Sequence, residues 1–182
     1  MPSVTSQYQT QRFRFQPLTD DDRDLFCELY CNDVVMGKIM PKLERKQASS
    51  LFSNILNKQQ KSLNVYWRIE CVHSEKAVGI QGFMSNIEQQ KRNDAEFGIL
   101  IRPDFYGNHV ATESVTAMLF HGFTYLNLAT AHAFFDADNI AIQKIAEKLN
   151  FEITSDNQQT NKMRCCISQK TFLSHNGQAI YA

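Results

Sequence analysis

Residues 94–125 read D-A-E-F-G-I-L-I-R-P-D-F-Y-G-N-H-V-A-T-E-S-V-T-A-M-L-F-H-G-F-T-Y. Glu96 to Ile101 is apolar and partly β-branched, as in a buried strand. Pro103 and the Gly107-Asn108 pair then punctuate the chain. From Ala111 the period changes, and Ala111, Val115, Met118, Leu119 and Gly122 share one helical face. The order is therefore strand, tight turn, helix. Such a junction aims several backbone N–H groups at one point, with a helix N-terminus behind them. That is an anion site, most often for phosphate. Neither the three-glycine dinucleotide fingerprint nor a Gly-Lys-Ser/Thr loop is present.

On both sides of this stretch the pattern stays α/β. Arg12 to Gln16 alternates Arg and Phe like a strand, and Thr19 followed by Asp20, Asp21 and Asp22 suits a helix start. Helical faces are expected through Leu25, Phe26, Leu29 and Tyr30, and over residues 44–58 through Ala48, Leu51, Phe52, Ile55 and Leu56. Strands are expected over residues 64–72, 77–84, 129–135 and 163–168, and a further one starts at Phe151. Ile142, Ile145, Ala146 and Leu149 mark another helix, with Asn150 as its left-handed end. Residues 1–11 and 155–161 are polar and expected to be flexible.

Length and charge limit the possibilities. A chain of 182 residues suits one domain spanning 1–182. Lys plus Arg and Asp plus Glu both number 19, so no basic excess points to nucleic acid. The five cysteines form no C-x-x-C pair and no zinc spacing, which reads as free thiols in a reducing cytosol, with no metal. The N-terminus shows no signal peptide, and no apolar run approaches the ~20 residues of a membrane span. The expected location is cytoplasmic.

The string Tyr106-Gly107-Asn108-His109-Val110-Ala111-Thr112-Glu113 resembles the acetyl-CoA motif of the GCN5-related N-acetyltransferases (GNAT). That loop reads Q/R-x-x-G-x-G/A. In the subgroup that acetylates N-termini of ribosomal proteins it is often W-G-x-G-x-A-T-E. Here Tyr106 replaces Trp and His109 replaces the second Gly. Two more stretches resemble the same family. Residues 139–151, N-I-A-I-Q-K-I-A-E-K-L-N-F, match its N-x-x-S/A-x-x-x-Y/A-E-K-L-G-F, and Phe15 to Met36 resembles its opening strand, helix and D-P-x-V-M turn.

The resemblance covers about Arg12 to Thr171. It implies the GNAT fold, a mixed, mostly antiparallel sheet of six to seven strands with a splayed central parallel pair and helices on both faces. Acetyl-CoA is the implied cosubstrate. Tyr106, Gly107, Asn108, His109, Val110, Ala111 and Thr112 would cradle its pyrophosphate. Backbone groups of Ile99, Leu100 and Ile101 would hold the pantetheine arm, and Asn139 would contact that arm or cap the next helix. The implied reaction is acetyl transfer to a primary amine, from a peptide N-terminus or a small molecule. A non-catalytic CoA-binding module and a transferase of longer acyl groups are the alternatives, and the resemblance leaves room for a homodimer.

Glu96 is the candidate base. It is the one carboxylate inside the apolar run, where burial raises a carboxyl pKa towards a useful range. His73, His121 and His132 are weaker candidates; for the helix-borne His121 and the strand-borne His132 a structural role is expected. The family's general acid aligns with Ile142 or Ala146, neither of which can donate a proton.

Overall fold

The computed structural model describes residues 6–60, 64–84, 93–155 and 161–176. Eight strands form one sheet: β1 (Tyr8–Gln9), β2 (Phe13–Pro17), β3 (Asn64–Cys71), β4 (Ala77–Met84), β5 (Asp94–Ile101), β6 (Thr130–Asp136), β7 (Glu152–Ser155) and β8 (Lys162–Ser168). Their order across the sheet is β1-β2-β3-β4-β5-β6-β8-β7. Every neighbouring pair is antiparallel except β5 and β6.

The expected six to seven strands become eight because the polar N-terminus contributes one. Tyr8 and Gln9, inside the stretch expected to be flexible, pair with Phe15 and Arg14 as an edge strand. Tyr8 is held by its ring, stacked on Phe15 at 4.6 Å and on His121 at 4.4 Å. The second stretch expected to be flexible lies mostly outside the described residues.

Among the described residues six α-helices accompany the sheet: α1 (Arg23–Tyr30), α2 (Asp33–Met36), α3 (Arg45–Gln60), α4 (Val110–Thr124), α5 (Ile140–Lys148) and α6 (Gln169–Asn176). Residues alternate between faces along each strand, which assigns the two cores. Phe13, Phe15, Val65, Trp67, Ile69, Phe83, Ala95, Phe97 and Ala131 join Met118, Leu119 and Phe123 of α4 and Phe172 of α6 on one face. Tyr66, Ile80 and Leu100 join Phe26, Leu29, Val35, Met36, Phe52 and Ile55 from α1, α2 and α3 on the other. Covered on both sides, β4 is buried almost throughout, which is why it lacks polar alternation. Helix α6 was not expected: its string Q-K-T-F-L-S-H-N carries only Phe172 and Leu173 as apolar anchors, yet Phe172 is fully buried.

Candidate active site

Strand β5 is held differently along its length. On one side it pairs with β4 from Met84–Glu96 to Gly79–Ile101. On the other it pairs with β6 only at Asp94–Thr130, Ala95–Ala131 and Glu96–His132. Beyond Glu96 the two parallel strands part. From Phe97 to Ile101 the edge of β5 that faces β6 has no strand partner, so its backbone groups there are available to another chain of amides or to water. Ile99 and Ile101 turn their N–H and C=O groups to this free edge, whereas Leu100, expected there with them, turns its own to β4, its carbonyl oxygen lying beside Gly79.

The loop after β5 turns through a short 3-10 segment, Pro103–Phe105, into α4. Gly107 has φ +80° and His109 has φ +58°. Both are left-handed, so the replacement of glycine by His109 carries strain of ~1–2 kcal/mol. No side chain caps α4 at His109, and the first-turn N–H groups of Val110, Ala111 and Thr112 have no acceptor within the helix. Tyr106, Gly107, Asn108 and His109 are exposed. The loop residues thus gather at the open end of the splay, with the positive end of the helix behind them.

A bracket that the sequence did not reveal fixes this loop. Glu113 in the first turn of α4 accepts from Thr10 Oγ1 at 2.6 Å and from Arg12 Nε at 2.7 Å. Arg12 also donates from Nη1 to the carbonyl of Asn108 at 3.1 Å. Thr10 and Arg12 belong to the β1–β2 turn, about a hundred residues away in sequence, and nothing in a local window signals the pairing. The Glu of the A-T-E string was the one available sign.

Glu96 is half-buried at the branch point of the parallel pair. Burial raises its pKa, and the neighbouring His132 pulls it partly back. Across the ladder, His132 Nδ1 lies 3.2 Å from Asp94 Oδ1, and Thr130 donates to the same oxygen. Glu96, His132 and Asp94 are thus brought together. His132 keeps the structural bond expected of it and in addition faces Glu96. His73 is exposed in the β3–β4 turn, at the far end of the hairpin from Met84, which pairs with Glu96. His121 lies on the α4 face, buried against Tyr8 and Trp67, and burial lowers its pKa to about 4. Neither can reach Glu96.

Tyr66 stands across Gly82 on the Glu96 face, so close that a Cβ on Gly82 would meet its ring at 2.5 Å. Burial pushes Tyr66 well up and Tyr30 up to about 12, which makes both poor proton donors. Ile142 is half-buried and Ala146 is buried in the core, so α5 offers no acid at the aligned positions. Asn139 accepts from the N–H of Ile142 at 3.4 Å as the N-cap of α5.

On the α1–α3 face a cavity of about 430 Å³ opens between the segment from Gly37 to Lys42 and the end of β6, with Asp33 and Asp136 in its walls. No described helix is long and apolar enough to cross a membrane.

Comparison with known proteins bears on this geometry. Residues 12–152 match the model of the acetyltransferase (GNAT) domain. An uncharacterized N-acetyltransferase, YoaA of Bacillus subtilis, is 26% identical over 148 residues, covering 79% of this chain and 81% of that one. Among solved structures, the apo form of FdhC, a nucleotide-linked sugar GNAT, superposes with a TM-score of 0.80 at 14% identity, covering 96% of this chain and 97% of that one. Spermidine N-acetyltransferase from Vibrio cholerae, in complex with CoA and spermine, gives 0.76 at 18% identity, covering 90% and 99%. The sheet parted beyond Glu96, the left-handed loop before α4 and the match over residues 12–152 lead to one conclusion: this chain belongs to the GNAT family of acetyl-CoA-dependent N-acetyltransferases.

Proposed function

We propose that this chain transfers an acetyl group from acetyl-CoA to a primary amine by direct attack of the amine on the thioester. The observation that carries the reading is the parting of β5 from β6 just beyond Glu96, with the loop from Tyr106 to Thr112 at the open end. In this reading the pyrophosphate rests on the N–H groups of that loop and of the first turn of α4. The amide-bearing pantetheine arm takes the free edge of β5 at the backbone groups of Ile99 and Ile101, which flank Leu100. One N–H of that edge faces the thioester oxygen as negative charge develops there. Glu96, at the closed end, takes the proton of the incoming amine, directly or through one water.

The thiolate of CoA leaves without an acid on α5. Taking cysteine as a guide, a thiol has a pKa of ~8.5, so its anion is a tolerable leaving group near neutral pH. The same lack of a donor at Ile142 and Ala146 favours a second reading, a CoA-binding module without catalysis. One experiment separates the two. Calorimetry with CoA and acetyl-CoA measures binding, and a thiol trap measures CoA release over a panel of amines. Binding with amine-dependent release supports the transferase, and binding without release supports the module. No binding at millimolar ligand rejects both.

A further inference from the structure

The choice of amine is written into the face that carries Glu96, provided that the chain is the transferase proposed for this site. His132 lies beside Glu96 on this face, and four residues further along β6 lies Asp136, in the wall of the cavity. That separation is roughly 13 Å at the rise of a strand. An acceptor whose nitrogen sits at Glu96 can therefore lay its body along β6 into the cavity.

The charges at this mouth cancel. Asp33 is bound by Lys42 Nζ at 2.6 Å, Asp136 by Lys162 Nζ at 2.8 Å, and Asp138 by Lys38. Recognition of a polycation needs carboxylates that lack a cation already. Here every such contact would exchange one ammonium for another, with no gain in charge pairing and no steering field.

Apolar side chains share this mouth. Ile39 and Met40 line the cavity and are 46% and 41% exposed. Phe134, edge-on to His132, is 45% exposed, and Ile140, just past Asp138, is 52% exposed. Covering such surface is favourable at ~25 cal/mol per Å². Exposed apolar side chains in the wall of a formed cavity and on the adjoining strand mark a binding surface.

We infer that the acceptor is a monoamine on an uncharged, apolar body, and that Lys38 and Lys42 exclude polyamines by occupying the acidic positions. The test uses the full chain with acetyl-CoA and three acceptors: an amidated tripeptide of apolar residues, 4-phenylbutylamine and spermidine. At least one apolar monoamine should exceed spermidine in kcat/KM by about tenfold, and the better of the two shows whether the source is a peptide or a small amine. Replacing Lys38→Ala and Lys42→Ala together should raise spermidine use by about three- to tenfold. Ile39→Asp should raise KM for the preferred monoamine. A preference for spermidine in the unaltered chain overturns the inference. So does a double variant whose preference does not move, or acetyl-CoA binding with no transfer to either monoamine. Calorimetry of acetyl-CoA binding is run beside each assay. A chain that does not bind it brings down the transferase reading itself, whereas one that binds it and prefers spermidine brings down only the inference about the acceptor.

Discussion

The two sides of β5 are built for opposite ends. Its β4 side is a continuous antiparallel ladder from Glu96 to Ile101. Its β6 side is a parallel ladder that stops at Glu96. On the first side the backbones approach so closely that glycine is needed. A Cβ on Gly79 would lie 2.1 Å from the carbonyl oxygen of Leu100 and 3.0 Å from the Cα of Ile101. A Cβ on Gly98, in the parted half of β5, would meet nothing nearer than Met84 Cε at 3.5 Å. The difference teaches that the cleft is made by the register of one central strand, while the strand on its other flank is locked to hold the opening in place.

The sharpest way to break this comparison is to substitute its glycines. Gly79→Ala sets a Cβ against the backbone of Leu100 and Ile101, which cannot yield, so a loss of about 3 kcal/mol or more is expected, read as a fall in Tm. Gly98→Ala should leave Tm within about 2 °C of the parent. If Gly98→Ala destabilises as much as Gly79→Ala, the two flanks of β5 are equally closed and the comparison fails.

Next in size is the branch point itself. Glu96→Gln removes the base and should lower turnover about 10²–10⁴-fold on a good acceptor, with acetyl-CoA affinity nearly kept. The pH dependence has a definite sign. The base works deprotonated, and burial raises its pKa, so the acidic limb of the rate profile lies above the ordinary carboxylate range and should vanish in the variant. Stability moves the other way. A group whose pKa rises on folding contributes most below its unfolded pKa, and that contribution is lost as pH rises through the folded value. The glutamine variant should therefore melt slightly higher than the parent at neutral pH. Parental turnover in the variant would make Glu96 structural and leave the proton to water.

A smaller effect is expected from the bracket at the open end. Arg12→Ala removes the bonds to Glu113 and to the carbonyl of Asn108. The loop then keeps its sequence but loses its tether to β2. CoA affinity should fall by about tenfold, which is ~1.4 kcal/mol, while Glu96 and the rate at saturating acetyl-CoA stay nearly unchanged. A large drop in Tm with unchanged affinity would show that the bracket serves the fold and not the loop.

The range of each interaction decides whether it is legible in the sequence. The turn at Gly107 and the helix after it were legible because their signals are local: a change of period and a pair of turn-forming residues. Asn139 as a cap was legible for the same reason. The parting of β5 and β6 came from family resemblance, because no local pattern in Glu96 to Ile101 says where a neighbouring strand departs. Strand β1 escaped notice because its one anchor, Tyr8, gains its burial from Trp67 and His121, far along the chain. The cavity was legible only at Asp33, in the turn that resembles the family's D-P-x-V-M. The rest of its wall, around Gly37 to Lys42 and at Asp136, carries no motif.

The smallest effect expected is at His109, and it sharpens the picture of the open end. His109 holds φ +58° where the family writes glycine. His109→Gly relieves ~1–2 kcal/mol of left-handed strain but adds back ~0.5–1 kcal/mol of unfolded-chain entropy. The net gain is ~0–1.5 kcal/mol, so Tm should rise by no more than about 6 °C. CoA affinity then separates two roles for the imidazole. It is exposed, and a charged contact in such a place is worth only ~0.2–1 kcal/mol. If the ring donates to phosphate, the glycine variant binds CoA up to about fivefold more weakly. If the ring merely crowds the loop, the variant binds more tightly. A dissociation constant that does not change removes the imidazole from the site and leaves the left-handed backbone as the whole of what His109 contributes.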